Sequence, residues 1–242
     1  MGTPEGVARA GTTWVKLLRW SAIVAIVDVI LINVFAGIIP PLLVFAVIWI
    51  GSLVWLNRAT KGPAILLLVS FVAFIGLSAP FTIPSLAVPA SGGDFILNLA
   101  GLVAVLVGIV AAISVIRGLV YAAPAARSLA MGAAVVFLVA SAYSVYETVS
   151  YDSAVAQEGD IELVAKDIEF QDTSLDAAAG EVSVFIDNED ATLHTFTIED
   201  LDVDLDIPAS KAARVTFDAE PGEYEFFCEP HKEDMKGTLT VE

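Results

Sequence analysis

Apolar residues run almost unbroken from Leu18 to Leu56, with Asp28 and Asn33 as the notable interruptions. A helix that crosses a bilayer needs about 20 such residues, so this run is too long for one span. Pro40-Pro41 sits in its middle, and the second proline disfavours helical conformation at the first, so the chain turns there. The pattern predicts a helical hairpin of Leu18–Gly37 and Pro41–Leu56. Later apolar runs predict spans at Pro63–Ala79, Phe95–Ile116 and Leu129–Val149, and the Pro-, Ser- and Gly-rich stretch Pro80–Asp94 reads as a loop.

After residue 150 the period changes. Tyr151–Asp160 is polar and patternless, a linker that reaches about 33 Å when extended. From Ile161 apolar and polar residues alternate, as in half-buried strands. The candidates are Ile161–Ala165, Val182–Asp187, Leu193–Ile198, Val203–Ile207, Ala213–Phe217, Glu223–Cys228 and Thr238–Val241. Turn signals separate them at Ala179-Gly180, Asn188–Ala191 and Pro221-Gly222. The predicted architecture is an all-α transmembrane bundle of five spans over residues 1–150, a linker over 151–160, and an all-β Greek-key sandwich over 161–242.

Composition sharpens this division. Of the 242 residues 57% are hydrophobic and 17% charged, too apolar for a water-soluble domain and unlike a disordered chain. The net charge is −17, which leaves little to neutralise phosphates and argues against nucleic acid as a partner. Residues 1–150 hold seven Lys/Arg and four Asp/Glu, whereas residues 151–242 hold five and 25. With five spans and an inside N-terminus, Arg9, Lys16, Arg19, Arg58, Lys61, Arg117 and Arg127 all fall on one side. That satisfies the positive-inside rule and places the C-terminal domain outside the cytoplasm. A four-span reading puts three of these cations outside. The first apolar run reads as a signal anchor, not a cleaved signal peptide.

The membrane half has little chemistry of its own. It contains no His and no Cys, and Met1 and Met131 are its methionines, which excludes a b-type haem or a thiolate metal site there. Asp28 is an acid deep in a span, where the ordinary expectation is a carboxyl hydrogen-bonded to Asn33 or a Ser, with proton or ion transfer as the functional alternative. Trp14, Trp20 and Trp55 fall near inner span ends, as interfacial anchors do.

The chain's two His and one Cys all lie in the β-half: His194, then Cys228-Glu-Pro-His231, followed by Met235. Strand parity puts His194 on the face of Phe196 and Ile198, and Cys228 on the face of Tyr224 and Phe226. Both point inward, and His231 and Met235 follow on a loop able to fold back. A lone buried Cys or Met is ordinarily core filler. The pattern gains meaning from joint occurrence.

The motif C-x-P-H-x3-M-x-G-x-L-x-V, preceded by P-G-x-Y-x-F and an upstream H-T-F-T-I, resembles the cupredoxins of plastocyanin and halocyanin type. The likeness covers about residues 160–242. It implies a type 1 blue copper site with His194, Cys228 and His231 as equatorial ligands and Met235 as a weak axial one. It also implies His231 as the exit route for electrons. Two features depart from the family. The three-residue gap between His231 and Met235 lies between the shorter and longer gaps of relatives. The residue after the first His, often an Asn that bonds the ligand loops, is Thr195 here.

The ligand chemistry agrees, since His2Cys with a distant Met suits electron-transfer copper. Zinc also takes Cys and His, but the Irving–Williams order and the Met favour copper. Two His cannot build a multicopper oxidase or copper nitrite reductase, and one Cys cannot bridge a CuA centre. The expectation is a non-enzymatic, membrane-anchored carrier of single electrons between cytochrome- or oxidase-type membrane redox proteins on the outer face of the cell membrane. A copper-delivery module and an accessory subunit of a respiratory complex are the alternatives. The evenly spread acids favour hydration in high salt over steering of a basic partner.

Overall fold

In a computed structural model of the chain, residues 4–119 and 123–242 are described, with side chains from residue 13 onward; Arg9, among the cations read from the sequence, lies outside those side chains. Packing divides the chain into two compact units. One runs to Thr82 and includes Ile96–Ala142; the other is Ile83–Phe95 with Tyr143–Glu242.

Among the described residues five helices precede the strands: α1 (Pro4–Phe35), α2 (Pro40–Trp55), α3 (Lys61–Ala87), α4 (Gly93–Ile116) and α5 (Ala123–Ser150). Four contain stretches long and apolar enough to cross a membrane, while α2 has 16 residues and is shorter. The hairpin forms where the prolines predict it. Gly37 has φ +84°, a left-handed conformation that suits glycine after a helix. Asn33 spans the turn, with Nδ2 donating to the Val29 carbonyl at 2.8 Å and Oδ1 accepting from the Ile39 N–H at 2.7 Å. Pro40 and Pro41 then open α2 at positions whose N–H groups have no helical partner.

The expected loop Pro80–Asp94 is corrected. Helix α3 continues through Pro80 and Pro84 to Ala87, and only the 3₁₀ turn Pro89–Ser91 separates it from α4. Each proline removes one helical N–H and crowds the carbonyl four residues back. For Pro80 that carbonyl belongs to Gly76, and apolar surroundings penalise unwinding more than one lost bond.

In the first unit Phe45, Trp49, Phe71 and Phe74 stack with ring centroids 5.3–5.8 Å apart. The Trp49 indole N–H, in the middle of this apolar cluster, donates to Ser70 Oγ at 3.0 Å. Gly108 faces the Phe71 ring with no room for a Cβ. Trp20 and Trp55 are exposed, as anchors would be, but Trp14 is buried in the core. Asp28 is 4% exposed and lies against Gly101, and its Oδ1 has no hydrogen-bond partner.

The strands form a sandwich. Its first sheet is ordered β2 (Glu169–Phe170), β1 (Ile161–Lys166), β4 (Gly180–Asn188), β7 (Ala212–Ala219). The second is β3 (Ser174–Ala177), β9 (Lys236–Val241), β8 (Gly222–Phe227), β5 (His194–Ile198), β6 (Val203–Ile207). Pairing is parallel for β1 with β4 and for β3 with β9, and antiparallel elsewhere. Strands β2 and β3 were not predicted, because each puts a single buried side chain inward, Phe170 or Leu175. Strand β5 lies inside the second sheet and all five of its residues are buried. The two sheets close over Phe170, Phe196 and Phe226, whose rings lie 5.4–6.3 Å apart.

The linker is also held. Arg214 Nη2 of β7 meets Asp160 Oδ1 at 2.7 Å while its Nε donates to Oδ2 at 2.9 Å, and the Ala154 N–H donates to the Ala212 carbonyl at 3.1 Å. The guanidinium bonds hold the Asp160 carboxyl below its ordinary value against the effect of burial. Phe226 is fully buried beneath the end of β8. Replacing it by Ala is expected to destabilise the β-domain by about 3–5 kcal/mol, measured by thermal unfolding of the detergent-solubilised chain under near-ultraviolet circular dichroism.

Candidate metal centre

Each predicted ligand owes its position to a different piece of the sandwich. His194 is the first residue of β5, Cys228 follows the last residue of β8, and His231 ends the 3₁₀ turn Glu229–His231. Pro230 opens that turn without needing a helical N–H. Met235 immediately precedes β9 and is fully buried, as are His194 and Cys228; His231 is partly buried.

The structure brings three donors together. His194 Nδ1 and His231 Nδ1 each lie 3.6 Å from Cys228 Sγ, and the three ligand atoms fall within 4.8 Å of one another. The imidazole rings stand edge to face, with centroids 5.1 Å apart. The backbone returns the fourth residue to the same place. The Cys228 N–H donates to the Met235 carbonyl at 2.9 Å, the Met235 N–H to the His231 carbonyl at 2.8 Å, and the His231 N–H to the Cys228 carbonyl at 3.0 Å. The ligand loop is thus closed by its own amides.

Side chains outside the predicted set hold the donors in orientation. Asp190 Oδ2 lies 2.8 Å from His194 Nε2, so the outer nitrogen is occupied and Nδ1 is turned inward. The same carboxylate accepts the Asp167 N–H at 2.8 Å and the Ile168 N–H at 2.9 Å. Those two residues form the β1–β2 turn at φ +57° and +61°, a conformation that matches hairpin twist but is costly for a β-branched Ile. Burial raises the Asp190 carboxyl, yet the His194 bond and the two amides outweigh it and bring it down to about 2.

Asn188 supports Asp190 in turn. Its Oδ1 accepts the Asp190 N–H at 2.9 Å, and its Nδ2 lies 2.9–3.1 Å from the carbonyls of Thr192, Ile207 and Pro208. Thr195 stands where the resemblance to cupredoxins leads one to expect Asn. Its N–H donates to Cys228 Sγ at 3.3 Å, and its Oγ1 accepts the Glu229 N–H at 2.8 Å. One hydroxyl therefore links the strand of the first His to the loop of the Cys. In the sequence Asn188 and Asp190 read only as turn formers; the available signal is the placement of Asp190 four residues before His194.

Burial pushes the Cys228 thiol up to about 11, partly opposed by the Thr195 N–H. Burial first, then nearby His194, pulls His231 down to about 4. At neutral pH His231 is a neutral imidazole, the form that ligates. The thiol keeps its proton until a metal displaces it, so uptake releases a proton from Cys228. Two inward imidazoles, a thiol and a buried thioether residue suit a soft, one-electron metal better than a closed zinc site.

The C-terminal part of the chain is similar to known proteins. The family model of the cupredoxin-like domain matches residues 130–241. Amicyanin from Paracoccus versutus is similar at 18% identity, over 36% of this chain and 85% of that one, with a TM-score of 0.31. A reduced mutant of amicyanin is similar at 22% identity, over 36% and 86%, with a TM-score of 0.31. A Cu(I) form of another mutant is similar at 20%, over 38% and 90%, with a TM-score of 0.32. No curated protein matches the sequence.

Two substitutions separate orientation from ligation. Asp190→Ala leaves every donor in place but frees the outer nitrogen of His194, and is expected to weaken metal affinity about 10–100-fold in competition titrations. Thr195→Val keeps the backbone N–H to sulfur and strands the Glu229 N–H, at a cost of about 1–3 kcal/mol. Its melting point should fall while one metal per chain still binds.

Proposed function

We propose that the C-terminal part of this chain, a cupredoxin-like domain, holds one copper ion and carries single electrons between membrane redox partners, with the apolar helices as its anchor. The observation that carries this reading is the convergence of His194, Cys228 and His231 on one spot at the end of an apolar core. His194 Nδ1, Cys228 Sγ and His231 Nδ1 would hold the ion, with the buried Met235 as a fourth donor. Copper so bound supplies a Cu(I)/Cu(II) couple.

The chain's own residues do the rest. Asp190 keeps Nδ1 of His194 turned inward, and the loop amides hold Cys228, His231 and Met235 in one arrangement. A site held this way moves little when an electron arrives. The Thr195 N–H draws density from the sulfur and favours the reduced state. Phe226 and Met235 exclude water, and His231, the partly exposed ligand, is the route by which electrons leave.

The membrane reading is a five-span topology with a cytoplasmic N-terminus and the copper domain on the outer face of the cell membrane. The all-inside placement of Lys16, Arg19, Arg58, Lys61, Arg117 and Arg127 supports it. In this topology α2, about 24 Å long, crosses with help from the flanking apolar residues Ile38, Ile39 and Leu56. The partners are the lipid bilayer and membrane redox proteins of cytochrome or oxidase type, and the domain is a carrier without substrate turnover.

The test is a visible spectrum and redox titration of the copper-loaded full-length chain. An intense blue thiolate-to-copper band that bleaches reversibly, and is lost in Cys228→Ser, is expected. A colourless protein that takes copper only as Cu(I) would replace this reading with copper delivery, and preferential loading by zinc would replace it with a structural site.

A further inference from the structure

The loop that precedes His194 meets a part of the chain that the electron-carrier reading does not use. The Leu193 N–H donates to Asp94 Oδ2 at 3.4 Å, and the Ala209 N–H to Ser91 Oγ at 3.4 Å. Ser91 belongs to the 3₁₀ turn Pro89–Ser91 and Asp94 to the first turn of α4. All four residues are at most 9% exposed. These two acceptors therefore close backbone donors on the metal end of the sandwich.

The turn is itself fastened to the end of α5. Ser144 Oγ donates to the Pro89 carbonyl at 2.7 Å, and Thr148 Oγ1 lies 3.1 Å from the Ala90 carbonyl. Gly92 has φ +53°, and a Cβ there would lie 2.9 Å from Thr148 Oγ1. Both its conformation and the close approach require glycine. The third side of the bracket comes back from the sandwich. Lys211 Nζ donates to the Thr148 carbonyl at 3.0 Å, where a cation near a helix C-terminus is favoured, and it lies 5.9 Å from the Tyr151 ring centroid. These residues and the β-domain belong to one compact unit.

We propose that the turn Pro89–Asp94, bracketed by Ser144 and Thr148 of α5, is an intramolecular dock that grips the metal-binding domain by its Leu193 and Ala209 edge. The domain then works from one fixed pose and does not swing on residues 151–160. The gripped edge adjoins His194, so the His231 edge is the one left for exchange with a partner. The purpose of the dock rests on the electron-carrier reading; its existence does not, and the experiment needs no copper.

The full-length chain in lipid nanodiscs is labelled with a nitroxide at E223C, an exposed position of β8, in a C228S background that leaves a single thiol. The docked domain is expected to tumble with the whole particle. Removing the grip with S91A, D94A and K211M together should shorten the label's rotational correlation time about fivefold, toward the nanosecond motion of a tethered domain. Equal line shapes in gripped and ungripped chains would overturn the dock. Hydrogen exchange on the unaltered, metal-free chain needs no variant to fold. Protection of the Leu193 and Ala209 amides is expected, and rapid exchange at both would overturn the proposal. A chain that passes these tests but shows no reversible blue band would keep the dock and lose the carrier.

Discussion

The candidate metal end of this protein depends on one carboxylate. Asp190 holds the outer nitrogen of His194 and the two amides of a left-handed turn at Asp167 and Ile168. Without that acceptor two buried or half-buried donors lose their partner, and an isoleucine is left at positive φ with nothing opposing its strain. The same interaction thus fixes a ligand tautomer and closes the β1–β2 hairpin. Asn188 carries the constraint onward to Ile207 and Pro208, which brings the loops of both sheets under one network. A preorganised donor set follows. The imidazoles face the sulfur because their surroundings leave them no other direction.

Thr195 shows how one short side chain can tie two ligand-bearing loops together. The loop of the first His and the loop of the Cys must be bonded to each other if the donors are to stay in register. Here a hydroxyl suffices, because β5 is an inner strand and Thr195 is itself buried beside Glu229. The contact depends on the separation of the loops, so the residue type alone could not reveal it.

Much of the architecture was legible because it rests on local signals. The hairpin at Pro40-Pro41, the change from helical to alternating pattern after residue 150, and the inward faces of His194 and Cys228 each follow from steric rules or a two-residue period. The errors have equally local causes. Pro80 and Pro84 read as a loop, yet in apolar surroundings a helix keeps its remaining bonds and tolerates both. Trp14 reads as an interfacial anchor and is in fact core. Asn33 or a Ser is the partner the sequence suggests for Asp28, but the Asn33 amide is spent closing the turn before α2.

From sequence alone came the two-part plan, the side of the membrane expected for each charge, and the four residues suited to a copper ion. These depend on composition, period and the scarcity of His and Cys, all of which are properties of the chain read in order. Tertiary structure decided what surrounds those residues: the Asp190 carboxylate on His194, the Thr195 bridge, and the Ser91 and Asp94 acceptors at the edge of the sandwich. Each joins residues far apart in the chain or turned toward one another by a loop. Hydrogen bonds act over about 3 Å, and only the folded backbone determines which distant groups come that close.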